Sequence, residues 1–341
     1  MKSASPSRIT GVRPLWGLEG GFLMISGDGF PVDPLPEVRI GDAPARVVAA
    51  SARELRVSVP AALEGGRTPV RLDSAPGESA LVEIGAPLAT GLHQVDSPLF
   101  DREGNLFVTF SGARGQQVPV SVYVVRPDGS REPFVRGLVN PTSMALDPAG
   151  QLHVSSRLDG CVYRIGADGA ATRVATDLGV ACGIAFDPEG VLVVGDRSGT
   201  ILRVEDGRAA PFATLPPSVA AYHLAFDAAG WLFVAGPTLS TRDCIYRISP
   251  SGDVSVFYEG FGRPQGLAVD DRGRLYVADA LAGRGGLFRF PAGGGEPECL
   301  ISAGGLVGVA FGPRGSMVVC SADTAYRLDA GISGLLPFTR P

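Results

Sequence analysis

Apolar residues come in short runs along this chain, and each run is stopped by Asp, Gly or Pro. One such phrase returns six times: apolar residues lead to an Asp, a Gly follows three positions later, and a β-rich run begins. The first copy reads Ser97-Pro-Leu-Phe-Asp-Arg-Glu-Gly-Asn-Leu-Phe-Val. Further copies centre on Asp147/Gly150, Asp187/Gly190, Asp227/Gly230 and Asp270/Gly273, and a worn sixth keeps only Gly312/Gly315. The second glycines recur at steps of 46, 40, 40, 43 and 42 residues. A four-stranded propeller blade takes about 40 to 50 residues, so the spacing predicts six blades over 96–341. In the third copy the runs predict strands at 183–187, 191–194, 200–204 and 210–214, innermost first. The third strand is marked in later copies by an Arg between apolar residues, as in Val162-Tyr-Arg-Ile and Ile245-Tyr-Arg-Ile, which predicts an outward charge on a packed stem. For the last blade the pattern places an outer strand near 335–339, with 88–92 as a competitor.

Residues 8–86 lack this period. They predict seven short strands, at 8–12, 21–26, 37–40, 45–49, 54–59, 69–72 and 80–84, which suit a small β-sandwich. The segments Ile9-Thr-Gly-Val-Arg-Pro, Glu19-Gly-Gly-Phe-Leu-Met-Ile-Ser-Gly-Asp-Gly-Phe, Val38-Arg-Ile-Gly-Asp-Ala-Pro-Ala-Arg-Val-Val and Leu55-Arg-Val-Ser-Val-Pro resemble an IPT/TIG domain. That resemblance implies an immunoglobulin-like sandwich over 8–86, used as a docking or spacer module. Residues 87–95 form a linker that can pack on the ring. The later copies resemble NHL repeats, most openly in Arg263-Pro-Gln-Gly-Leu-Ala-Val-Asp-Asp-Arg-Gly-Arg-Leu-Tyr-Val-Ala-Asp. They are also similar to the gluconolactonase/regucalcin-like six-bladed propellers. The expected fold is therefore all-β: an Ig-like sandwich followed by a six-bladed propeller.

Charge narrows the partners. The formal net charge is -5 and the pI about 5.3, so the basic excess that neutralises phosphates is missing and nucleic acid is excluded as an expected partner. No run of about 18 apolar residues encodes a membrane span. The start has no apolar signal core, which predicts a cytoplasmic protein, or export if a signal has been removed. Cysteines at 161, 182, 244, 299 and 320 show no metal-type spacing and fall in or at the ends of predicted strands. They read as buried thiols in a reducing compartment.

In a propeller, binding groups gather at the channel mouth. Counting five residues back from each repeat Asp, or from Gly312, gives Asp96, Thr142, Cys182, Tyr222, Gln265 and Val307. His223 stands where other copies have Gly or Ser, and reads either as a channel group or as space-filling beside Tyr222. Asn140, and Asp196 and Asp279 at the ends of second strands with Ser156 and Ser321, complete the expected mouth. Arg114, Arg157, Arg197, Arg242 and Arg284 form its rim, as anion clamps or as solvated partners of nearby Asp residues. The gluconolactonase resemblance implies a divalent cation held by Glu, Asn and Asp. Here Asp96 fits the first place, while Cys182 and Tyr222 fall where Asn and Asp are wanted. A hard cation needs several oxygen ligands, so no cofactor is expected and Asp96 is the weak candidate for a metal.

No G-x-S-x-G elbow, H-E-x-x-H pair, phosphate loop or dinucleotide glycine pattern occurs. The expected function is non-catalytic binding of a small molecule or protein by a monomer, through the Asp96 face of the channel. The alternative is a gluconolactonase-like hydrolase of lactones or esters with a degenerate metal site, its candidates being Asp96, Tyr222 and His223, with Asn140 or Gln265 assisting.

Overall fold

The repeated phrase is turn chemistry. In a computed structural model of the chain, which describes residues 7–281 and 285–335, one carboxylate oxygen of Asp101, Asp147, Asp187, Asp227 and Asp270 accepts the backbone N–H four residues on, at 2.8–2.9 Å. The glycine three residues after each of these Asp has φ between +72° and +88°, a region costly for a residue with a Cβ. Carboxylate and glycine together reverse the chain from first strand to second. In the sixth copy Gly312 offers no carboxylate, and a 3-10 turn, Pro313–Gly315, makes the reversal.

Each phrase thus starts a four-stranded antiparallel sheet. The third blade comprises Ala181–Phe186, Leu192–Asp196, Thr200–Glu205 and Arg208–Thr214, close to the predicted bounds. Side chains alternate between the faces of a strand, so each blade presents apolar residues to both neighbours. Six clusters fill the six gaps between blades, for example Ala145, Val162, Ile184 and Val194 between blades two and three. Neighbouring blades touch in cyclic order, blade six against blade one included. The third-strand arginines behave as predicted scaffold: Arg203 lies over Phe212 and Arg247 over Trp231.

Closure differs from the expectation. The outer strand of blade six is Ala86–Ala89, antiparallel to Ala325–Asp329 with Pro87 opposite Tyr326. The C-terminal segment is drawn elsewhere: the Gly331 N–H donates to Gly315 O and the Leu335 N–H to Val269 O, which carries it beneath the ring to blade five. The rest of the strand expected near 335–339 lies outside the described residues.

The N-terminal residues form two sheets around one core of Leu23, Ile25, Ile40, Leu55, Val57, Val70 and Val82. One sheet orders Arg8–Arg13, Phe22–Asp28, Glu54–Ser58 and Val47–Ala50. The other contains Ala43–Ala45, Val38–Ile40, Gly66–Leu72 and Ala80–Ile84. The two-residue strand Trp16–Gly17 has no counterpart among the strands predicted from the sequence. It pairs in parallel with Ala80–Ile84 on one side and with Glu298–Ser302, the outer strand of blade five, on the other. One nine-stranded sheet therefore runs from the N-terminal core into the ring. Leu18, 1 % exposed, belongs to the apolar cluster between blades five and six.

Candidate ligand site in the central channel

The position four residues before each repeat Asp is Ser97, Ser143, Gly183, His223, Gly266 and, counting from Gly312, Gly308. These residues form one tier of the inner strands. Two glycines in it are required by close approach: a Cβ on Gly308 would lie 2.4 Å from Ser97 Cα, and one on Gly266 2.7 Å from Val307 O. Five small residues leave the axis open, and the single imidazole fills it. His223 Nδ1–H donates to Asp96 Oδ1 at 2.7 Å. Their blades, four and one, stand three steps apart in a ring of six, so this bond crosses the channel. Both residues are buried, His223 completely. Asp96 Oδ1 also accepts the Ser97 N–H at 2.6 Å. No donor reaches Asp96 Oδ2 among the described residues, and His223 Nε2 is buried without a partner.

A residue the sequence reading missed supports this pair. Gln94 is 1 % exposed; its Nε2 donates to Asp96 O at 2.9 Å and its Oε1 accepts the Thr109 N–H at 2.9 Å. Its signal was only a polar amide close before Asp96, with nothing to say that it would be buried.

Below the bond the channel widens into a cavity of about 500 Å³. It runs from Asp96, Ser97 and Ser143 down to the turns at Asp187–Glu189 and Asp227–Ala228. Its walls include Phe100, Phe186, Phe226 and Phe311, with Ala185 between them, and Gly334–Leu335 of the C-terminal segment closes one flank. This is the end of the ring opposite to the expected mouth, because it is reached from the far ends of the inner strands.

The other expected residues are spent on structure. Tyr222, expected at the mouth, is 1 % exposed in the apolar cluster between blades three and four, beside Val193, Ile201 and Leu232. Its ring fills space left by Gly195 and Gly236, and its hydroxyl donates to Pro216 O. Burial pushes its phenol far above the usual range. Cys182 is buried, and burial pushes its thiol up to about 11, so it offers no thiolate. Asn140 donates from Nδ2 to Ser111 O and Ala113 O and accepts the Gly115 N–H, which ties down the loop at 111–115. Thr142 donates to Asn140 O, while Gln265 is buried with no side-chain hydrogen bond among the described residues.

Asp196 accepts the Val180 N–H at 2.8 Å and Asp279 accepts the Arg263 N–H at 2.7 Å, each holding the loop that leads into its own blade. Burial raises the Asp279 carboxyl above its usual range, against the N–H donors that lower it. Arg114, Arg197 and Arg242 are exposed and Arg157 is half-buried; none makes an ion pair among the described residues. Arg284 lies outside the described residues. The cysteines are free, and Cys161, Cys182 and Cys320 are buried as expected, but Cys244 is half-buried and Cys299 is exposed.

A divalent cation at Asp96 does not fit this arrangement. The carboxylate is engaged by an imidazole N–H and an amide N–H, and the two companion positions hold a thiol and a core phenol. Among the described residues no group of three or more His, Cys, Asp or Glu side chains is placed to hold a metal. No helix among them is long and apolar enough to cross a membrane.

The NHL repeat family matches residues 261–285, around the start of blade five. No curated protein matches the chain. An auxiliary nutrient binding protein from Bacteroides thetaiotaomicron VPI-5482 is similar in structure, with TM-score 0.56 and 13% identity over 95% of this chain and 98% of that one. A protein of unknown function from the same organism gives TM-score 0.57 and 14% identity over 97% and 98%. Regucalcin from Agrobacterium tumefaciens, a calcium-binding protein, gives TM-score 0.58 and 17% identity over 74% of this chain and 95% of that one. At these identities the likeness is one of fold: an all-β propeller, with two of the three matches extending over nearly the whole chain.

Proposed function

We propose that this protein is a non-catalytic binding propeller that takes an apolar small molecule into the channel cavity beneath Asp96. The observation that carries the reading is the cavity itself. At about 500 Å³ it falls in the range of small-ligand sites, roughly 300–1,000 Å³, and it has their usual make-up of apolar walls with a few polar groups. Residues 8–86 act as a docking or spacer module of IPT/TIG type, and 87–95 join it to the ligand-binding propeller of 96–341, whose sixth blade takes its outer strand from Ala86–Ala89. Two sheets around a single core support the first assignment. The nutrient-binding neighbour is in keeping with small-molecule binding.

The test is calorimetric titration with 4-phenylbutan-1-ol, a compact neutral probe, on the wild-type protein and on Ala185→Phe. Ala185 lines the cavity and belongs to none of the apolar clusters between blades. Saturable binding that disappears in a folded Ala185→Phe supports the site; no binding to the wild-type protein removes it.

A second reading, a hydrolase of lactones or esters, is favoured by one observation. A histidine held at Nδ1 by a carboxylate, with Nε2 unpartnered, is the arrangement of a general base. Turnover of such substrates that is lost in Asp96→Ala would establish it. Turnover that is unchanged in the variant would take Asp96 out of the mechanism.

A further inference from the structure

We infer that the channel cavity selects an organic cation: a compact apolar body carrying an ammonium group, bound with the ammonium at Asp96. This rests on the cavity-binding reading above and adds the charge of the ligand to it.

Three observations carry the inference. The first is the sign of the lining. Asp96, Asp187, Glu189 and Asp227 line the cavity, and among the described residues no Lys or Arg does. Asp187 is neutralised by Arg203 at 2.5 Å, but Glu189 and Asp227 make no ion pair among the described residues. Low-dielectric walls concentrate the field of such charges along the channel. A carboxylate ligand entering past Glu189 and Asp227 would meet like charge with no cation to compensate.

The second observation is Asp96 itself, 6 % exposed at the inner end, where Oδ1 takes both of its donors and Oδ2 takes none. Asp96 lines the cavity, so Oδ2, without a donor among the described residues, is open to a ligand there. An ammonium hydrogen supplies what is missing, and the bond so made is charge-assisted. The third observation is the set of walls. Phe100, Phe186, Phe226 and Phe311 surround the path, and aromatic faces attract an organic cation where a hydrated metal ion would lose its water. Of the arginines expected to clamp an anion, Arg157 and Arg197 follow the second strands of their blades at the other end of the ring. Arg157 and Arg197 act electrostatically on Cys182 there, beyond the bond between Asp96 and His223.

The experiment compares three probes of one skeleton by calorimetry at pH 7.5 and constant ionic strength: 4-phenylbutylamine, 4-phenylbutan-1-ol and 4-phenylbutanoate. The ammonium form should bind about tenfold more tightly than the alcohol and the carboxylate at least about tenfold more weakly, the size expected of one partly buried charge contact. In Asp96→Asn the ratio of amine to alcohol affinity should shrink to about threefold or less. Glu189→Gln, at an exposed position, is a second variant that leaves the fold alone, and it should lower the ratio of amine to alcohol affinity. Equal binding of amine and alcohol, or tighter binding of the carboxylate, would overturn the cation preference while leaving the cavity as a neutral apolar site. Absence of binding by all three probes would overturn the cavity reading and this inference together.

Discussion

Replacing His223 with serine puts into blade four the residue that blades one and two carry in the same tier, Ser97 and Ser143. The strand should therefore tolerate it, and the effect should isolate the bond across the axis. That bond joins an imidazole N–H to a carboxylate at 2.7 Å, with both partners buried. A hydrogen bond to a charged group contributes about 1.5–3 kcal/mol, and stripping the partner from a fully buried charge costs about 3–5 kcal/mol. Asp96 borders a cavity that water can enter, so the smaller range applies and we expect a loss of about 2 kcal/mol. Unfolding entropy near 2.1 cal/mol/K per residue, over 341 residues, converts this to a fall in Tm of about 3 °C. Calorimetry and urea denaturation should be run on His223→Ser, Asp96→Asn and the double variant. A coupling energy close to 2 kcal/mol is expected from the cycle, and one below about 0.5 kcal/mol would refute the reasoning, since contacts of independent sites add within that margin. Free imidazole should restore part of the lost Tm in His223→Ser, as it can occupy the vacated tier.

Further outcomes follow from the same geometry. Tyr222→Phe should cost about 1 kcal/mol, the worth of one hydrogen bond to Pro216 O, with probe binding unchanged; a loss of binding without a loss of stability would return Tyr222 to the channel. Leu18→Ala should cost about 2–5 kcal/mol and lower the melting of the ring as well as of the N-terminal sheets, because Leu18 is buried between blades five and six. Burial lowers the folded His153 pKa below its ordinary 6.5, so its contribution to stability is intact above pH 6.5 and declines as pH falls through the folded value. His153→Phe, which supplies the ring found in the same strand position at Phe107 and Phe233, should flatten that acid-side loss; parallel pH profiles for the two proteins would contradict it. Thiol labelling under native conditions should modify Cys299 first, and slowly at neutral pH because burial pushes its thiol up to about 11, and Cys161, Cys182 and Cys320 only on unfolding.

Turn chemistry was legible in the sequence because it is local. The Asp carboxylate and the amide it holds are four residues apart, and the glycine with positive φ lies between them, so five reversals and the blade period could be read directly. Pairings made across the ring left no such trace. For the closing strand the sequence offered 88–92 only as a competitor to 335–339, and Ala86–Ala89 takes the place with a shift of register toward the N-terminus; Trp16–Gly17 is too short for any period to show. The site was half legible. His223 stood out as an imidazole in a column of Gly and Ser, but its partner is on the opposite blade and shares no spacing with it. Counting along the inner strand placed Tyr222 at the mouth, yet neighbouring positions face different sides, and the room beside Gly195 and Gly236 decided where the ring went.

The strand that completes blade six is translated before any blade exists. Ala86–Ala89 follows directly on the N-terminal sheet, and its partner Ala325–Asp329 comes after the rest of the ring. Until that partner emerges, five blades wait beside an open gap, and closure depends on a pairing that spans the whole ring in sequence, which makes folding slow and late. The N-terminal sheets hold Ala86–Ala89 in position during this wait, since Trp16–Gly17 already joins them to blade five once Glu298–Ser302 is in place. The small module is then a jig for assembly: it presents the closing strand at the gap, next door to the last blade to form.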